Sequence, residues 1–188
     1  MRGVSVSMPG HRSPQAGFEQ PFGMLAACHE RVLRSLQLLR RLIEQLEAAG
    51  PDADARAAAH DVWRYFELAA PAHHADEELH VLPRLRAAGD PWLADVARRI
   101  ETEHAELRAL WQQLGPLLQQ LHEAQGPFGP DAMHTLRTLA ASFIALHERH
   151  LPLEDSFAFP AAQARMQPHE LQSMGQEMQR RRTAAPAS

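Results

Sequence analysis

The chain has 188 residues, enough to bury one sizeable core and short enough for one domain. Hydrophobic residues at 45% and charged residues at 22% make a globular composition, and a formal net charge of -4 argues against a general binder of nucleic acid or anionic membrane. All 19 basic residues are Arg, which excludes lysine Schiff-base chemistry and a P-loop, and the one cysteine, Cys28, can neither close an internal disulfide nor build a thiolate-rich metal site. Against this background the 12 histidines are the unusual count.

Residues 1–19 are rich in Gly, Ser and Pro, lack periodicity and read as a mobile arm without a signal-peptide core. No run of about 18 apolar residues follows, so a cytoplasmic protein without a membrane span is expected. From Pro21 to Ala49, Leu25, His29, Val32, Leu36, Leu39, Ile43 and Leu46 recur at helical steps until Gly50-Pro51 stops them. A second helical run extends from Asp52 to Ala87, with Val62, Phe66, Ala69, His73 and Glu77 on one face. Asp90-Pro91 caps a third helix, which carries Val96, Ile100, His104, Leu107, Trp111, Leu114 and Leu118 and stops before Gly126-Pro127. Asp131 is placed to cap a fourth, with Leu136, Ala140, Phe143, His147, His150 and Glu154 inward. Pro71, Pro83, Pro116, Pro152 and Pro160 should each kink or shorten their helix. The expectation is all-α: an up-down-up-down four-helix bundle over 20–166, followed by a tail, 167–188, with room for a short helix.

Two segments share one spacing: His73-x3-Glu77-x5-Pro83 and His150-x3-Glu154-x5-Pro160. Within each, His and Glu are one helical turn apart and point the same way. Each pair also follows a lone His in an apolar stripe, His29 by 44 residues and His104 by 46. The chain thus reads as one helical hairpin used twice, able to converge four imidazoles and two carboxylates on the bundle centre. Taken singly, a His-x3-Glu pair is commonly a surface ion pair. Six such groups on inward faces would be costly to bury without a cation. Four His and two bridging Glu offer each of two metals two nitrogens and two oxygens.

The segments CHERVLRSL, HHADEELHVLPRL, ETEHAELRALW and HERHLPLEDSFAFP resemble the hemerythrin-like, HHE cation-binding family over about residues 20–162. The resemblance implies a non-haem centre of two iron ions with an oxo or hydroxo bridge, iron being preferred to zinc. His29, His73, Glu77, His104, His150 and Glu154 fall on its ligand positions. Oxygen-carrying members place two His one turn apart on the third helix, whereas Ile100 and Arg108 flank His104 here. His147 is the first choice to fill the gap, on the Phe143–His150 face. His74 is the second, lying about 100° round the helix from His73 and dependent on a distortion at Pro71. Glu78 is a candidate ligand or an acceptor for an imidazole N–H. His60, His80, His122, His134 and His169 read as solvated, and Cys28 as packing.

The expected function is binding or sensing of O2, NO or peroxide, or holding iron, with signalling through a separate protein. Two alternatives come from other classes: an oxidoreductase consuming peroxide or NO, and an interaction module with a structural metal.

Overall fold

The computed structural model describes residues 17–123 and 128–183, and all regular structure in them is helical. Of the expected arm, 1–19, residues 1–16 lie outside the described residues, as does the Gly126-Pro127 turn, while Phe18 is packed against the last helix rather than mobile.

Helix α1 spans Pro21–Ala49 and ends on Gly50, whose φ of 76° is open to a residue without Cβ. Asp52 caps the next helix by accepting the Ala55 N–H at 2.7 Å. The second rod is segmented: α2 (Ala53–Leu68), α3 (Ala70–Asp76), a π-helical turn (Glu77–Val81) and α4 (Leu82–Arg86). Pro71, with no N–H to donate, begins α3 after the break at Ala69. Before Pro83 the chain widens, so that the Leu82 N–H reaches back to Glu77 O, five residues away. After Gly89, α5 (Pro91–Glu123) starts under an Asp90 cap that accepts the Trp92 N–H at 2.9 Å. The fourth rod repeats the second: α6 (Pro130–Leu153), a π-helical turn (Glu154–Ala158) before Pro160, and α7 (Phe159–Gln163). Helix α8 (Pro168–Thr183) follows.

Two local expectations are corrected. Gly129, not Asp131, stands at the N-cap of α6, because Pro130 already opens the helix, and a glycine has no side chain with which to cap it. Pro116 and Pro152 sit inside continuous helices. The carbonyls they leave unpaired belong to the exposed residues Gln112 and Glu148, where water can replace the lost N–H.

The four rods pack as an antiparallel bundle, α1 against α2, α2 against α5, α5 against α6, and α6 against α1. The core divides into two apolar clusters. One is built around Leu39, Val62, Phe66, Leu114 and Phe143, the other around Leu25, Leu82, Leu85, Ile100 and Phe159. Helix α8 closes the second with Met174 and Met178, and a Cβ on Gly175 would lie 1.8 Å from Phe18 O, so the two backbones touch. It is also tied by charge: fully buried Asp76 meets Arg181 at 2.9 Å and Arg182 at 2.5 Å. Between the two clusters lies a layer of buried polar groups.

Candidate metal centre

Each rod contributes to this layer: His29 from α1, His73 from α3, His104 from α5, and His150 from α6. The two carboxylates come from the first residues of the two π-helical turns, Glu77 and Glu154. The local chemistry explains their placement. The π turn that precedes each proline begins on the glutamate, one turn beyond its histidine, and keeps both side chains inward. All six residues are 0–3% exposed.

The carboxylate oxygens are divided between two pairs of imidazoles. Glu77 Oε1 lies 3.3 Å from His73 Nε2 and 3.7 Å from His29 Nε2, whereas its Oε2 lies 3.4 Å from His104 Nε2. Glu154 Oε2 lies 3.2 Å from His29 Nε2, while its Oε1 lies 3.4 Å from His104 Nε2 and 3.1 Å from His150 Nε2. All four oxygens, and the Nε2 atoms of His29, His104 and His150, are buried without a hydrogen-bond partner. Buried groups of this kind are ordinarily paired. A concentration of orphaned acceptors and lone pairs on one point is the signature of a cation site.

The opposite edges of three imidazoles are anchored. His29 Nδ1 donates to Asp155 Oδ1 at 2.8 Å, His104 Nδ1 to Glu78 Oε1 at 3.0 Å, and His150 Nδ1 to Glu103 Oε2 at 2.9 Å. When the ring gives up its second proton, each anchor fixes the tautomer that turns the Nε2 lone pair to the centre. Glu78 is held down at about 2 by its bonds from His104 and Arg108, which outweigh its partial burial. Burial raises Glu103, but His150 and Arg99 more than reverse it. Burial also raises Glu77 and Glu154, yet the surrounding imidazoles keep both below the usual range, as carboxylates.

His74 and His147 have different surroundings. The His74 ring stacks on His104 at 4.1 Å, and ligand atoms of His74, His104 and His150 lie within 4.8 Å of one another. A second group with the same property is His29, His73, Glu77 and Glu154. His147 donates its Nδ1–H to Phe143 O at 3.0 Å on its own helix and packs between Phe66 and Phe143. The placement therefore differs from the sequence ranking, because the break at Ala69–Pro71 lets His74 turn toward α5. Burial lowers His147 to about 3, and burial with the neighbouring His104 and His73 lowers His74 well below the usual imidazole range. Both rings are neutral near pH 7. They line a pocket of about 250 Å³ walled by Phe66, Leu107, Trp111 and Phe143.

Among the histidines read as solvated, His80 pairs with Glu177 of α8 at 2.7 Å, and His60 packs against His122 at 4.4 Å. Cys28 is a buried free thiol. Sequence reasoning missed Glu103 and Asp155. A signal was available: Glu78 and Asp155 each follow a paired glutamate, and Glu103 precedes His104.

The hemerythrin HHE cation-binding domain matches residues 20–162, so the chain belongs to the hemerythrin family of HHE cation-binding proteins. It is also similar to an uncharacterized protein of Haemophilus influenzae, 30% identical over 167 residues that cover 89% of this chain and 92% of the relative. The family carries a metal site with His and Glu ligand groups, the chemistry of the buried layer here. Among the described residues no helix is long and apolar enough to cross a membrane.

Proposed function

We propose that the buried layer is a non-haem di-iron centre that binds or senses a small diatomic or oxidant, of the class O2, NO or peroxide. The observation that carries this reading is the division of the Glu77 and Glu154 oxygens between two pairs of imidazoles, with every oxygen otherwise unpartnered. One cation would be held by His29 and His73, a second by His104 and His150, and each glutamate would give one oxygen to each. His74 is the seventh ligand in this reading, on the second cation. Mixed imidazole and carboxylate donors suit iron, and bound iron supplies a redox-active position open to an exogenous ligand.

The remaining work falls to the chain. Asp155, Glu78 and Glu103 orient imidazoles, Glu77 and Glu154 balance cationic charge, and the two apolar clusters keep bulk water away. The apolar pocket against His74 and His147 gives a small uncharged molecule an approach, while Glu78 and Arg108 stand on its rim. That approach also favours the second reading, an oxidoreductase consuming peroxide or NO at the same centre.

Visible spectra of freshly purified protein under argon, air and azide test the proposal. We expect iron in the elemental analysis and absorption that changes with air and azide. Zinc alone, with spectra indifferent to all three, overturns it. Turnover with added reductant separates the enzyme from the sensor.

A further inference from the structure

The imidazoles of the two halves are supported by equivalent positions of the two hairpins, with one exception. Asp155, following Glu154, holds His29, and Glu78, following Glu77, holds His104, so each hairpin lends an acid to the lone histidine of the other. Glu103, preceding His104, holds His150. The residue preceding His29 is Cys28, and the ring it meets is His73. There the Nδ1 atom has no oxygen partner, the Cys28 sulfur being the group the ring faces, although His73 is 3% exposed. A guanidinium stands beside each, though from different positions: Arg99, four residues before Glu103, puts Nε 2.9 Å from its Oε1, and Arg31, three residues after Cys28, puts Nη2 3.3 Å from its Sγ. Only the carboxylate is missing.

We propose that Cys28 makes the two metal positions unequal: the His29/His73 position is the exchangeable one, and the His104/His150 position is the retained one. The inference rests on the two-metal reading above. Sulfur accepts a longer and weaker hydrogen bond than a carboxylate, so His73 is oriented less firmly than the other three imidazoles and gains less basicity. Losing such a partner typically costs about 10- to 100-fold in metal affinity. A second difference acts in the same direction. Leu151 stands where His74 stands in the first hairpin, so the His29/His73 half has no third imidazole beside it. Cys28 is a positioning residue, acting through His73.

The test loads metal-free protein with Fe(II) under argon and follows its release to a colorimetric chelator. Two phases of equal amplitude are expected, the fast one about 10- to 100-fold faster than the slow. Cys28→Glu, whose carboxylate would meet Arg31, should slow the fast phase alone, by about tenfold or more. The reciprocal Glu103→Cys, which copies the first hairpin onto the second, should speed the slow phase alone. Release in a single phase from the parent overturns the proposal. So does a pair of phases left unchanged by both Cys28→Glu and Glu103→Cys, and the second variant decides the matter if the first does not fold. Uptake of fewer than two Fe(II) per chain strikes the two-metal reading itself and the inference with it.

Discussion

The hairpin made by α1 to α4 and the one made by α5 to α7 hold the same inward groups on the same scaffold. Each has a lone histidine, a His-x3-Glu pair, a π turn beginning on the glutamate, and a proline ending that turn. Phe66 and Phe143, at matching places, meet edge to face at 4.9 Å. Around this shared frame the hairpins differ: Cys28 against Glu103, His74 against Leu151, Ala70 against His147, Asp76 against Leu153. The comparison separates two kinds of constraint. The groups that converge on the buried centre are duplicated, because both halves share the same two carboxylates. What sits one bond further out is free to diverge, and it sets how the halves differ.

The largest expected effect breaks what the hairpins share. Glu154→Gln or Glu77→Gln keeps the side chain's shape and removes the charge that would offset the two proposed cations. Metal content should fall from two to one or none per chain by elemental analysis, with the helical circular dichroism retained. A variant that keeps both metals would show that its glutamate bridges nothing.

The next sharpens the difference at Asp76, where only the first hairpin is tied to α8. Asp76→Ala leaves Arg182 without its carboxylate and Arg181 with Glu177 alone, and both arginines are about a quarter exposed and so partly rehydrate. Breaking a buried pair costs about 3–5 kcal/mol, and the exposure of the arginines reduces this to about 2 kcal/mol. Chemical denaturation of the metal-free protein measures it. An unchanged midpoint would mean that α8 is held by its methionines and by the His80–Glu177 and Arg84–Glu170 pairs, without help from Asp76.

The third sets His74 against His147. His74→Ala should weaken metal binding by at least about tenfold and alter the azide spectrum, whereas His147→Leu, which keeps an apolar filling, should change affinity less. The reverse order would restore the ranking read from the sequence.

The smallest effect is a slope with pH. Burial opposes protonation of His29, His104 and His150, but it is outweighed. Asp155, Glu154 and Glu77 raise His29 to about 12; Glu154, Glu77 and Glu78 raise His104 to about 11; and Glu154 and Glu103 raise His150 to about 9. Raised values stabilise the metal-free fold fully below the ordinary 6.5 and lose that stability as pH climbs through about 9, then 11 and 12. Metal needs neutral imidazoles, so its affinity rises over the same range and loading at pH 7 releases protons. Thermal melts of the metal-free protein should fall from pH 7 to 10, while metal affinity rises. Parallel slopes would contradict the charge balance described here.

Much of this site was legible in the sequence because periodicity is a backbone property. His29, His73, Glu77, His104, His150 and Glu154 share an inward helical phase, and the repeat of spacing and proline made the two hairpins visible. The breaks at Pro71, Pro83 and Pro160 were legible too, since a missing N–H leaves a fixed defect. Pro116 and Pro152 were not, because whether a freed carbonyl is harmful depends on which side of the bundle it faces. Asp155 and Glu103 escaped for a similar reason: an acid beside a site residue points off the inward face, and only the packing of a neighbouring rod reveals which imidazole it meets. The stacking of His74 on His104 was not legible, because the angular consequence of the break at Ala69 is contained in no helical wheel.

The most direct measurement is an anaerobic titration of metal-free protein with Fe(II), read by calorimetry and by metal analysis after desalting. The account predicts saturation at two Fe(II) per chain, in two steps of unequal affinity. Saturation at one, with no capacity for a second, would contradict the claim that Glu77 and Glu154 each serve two cations.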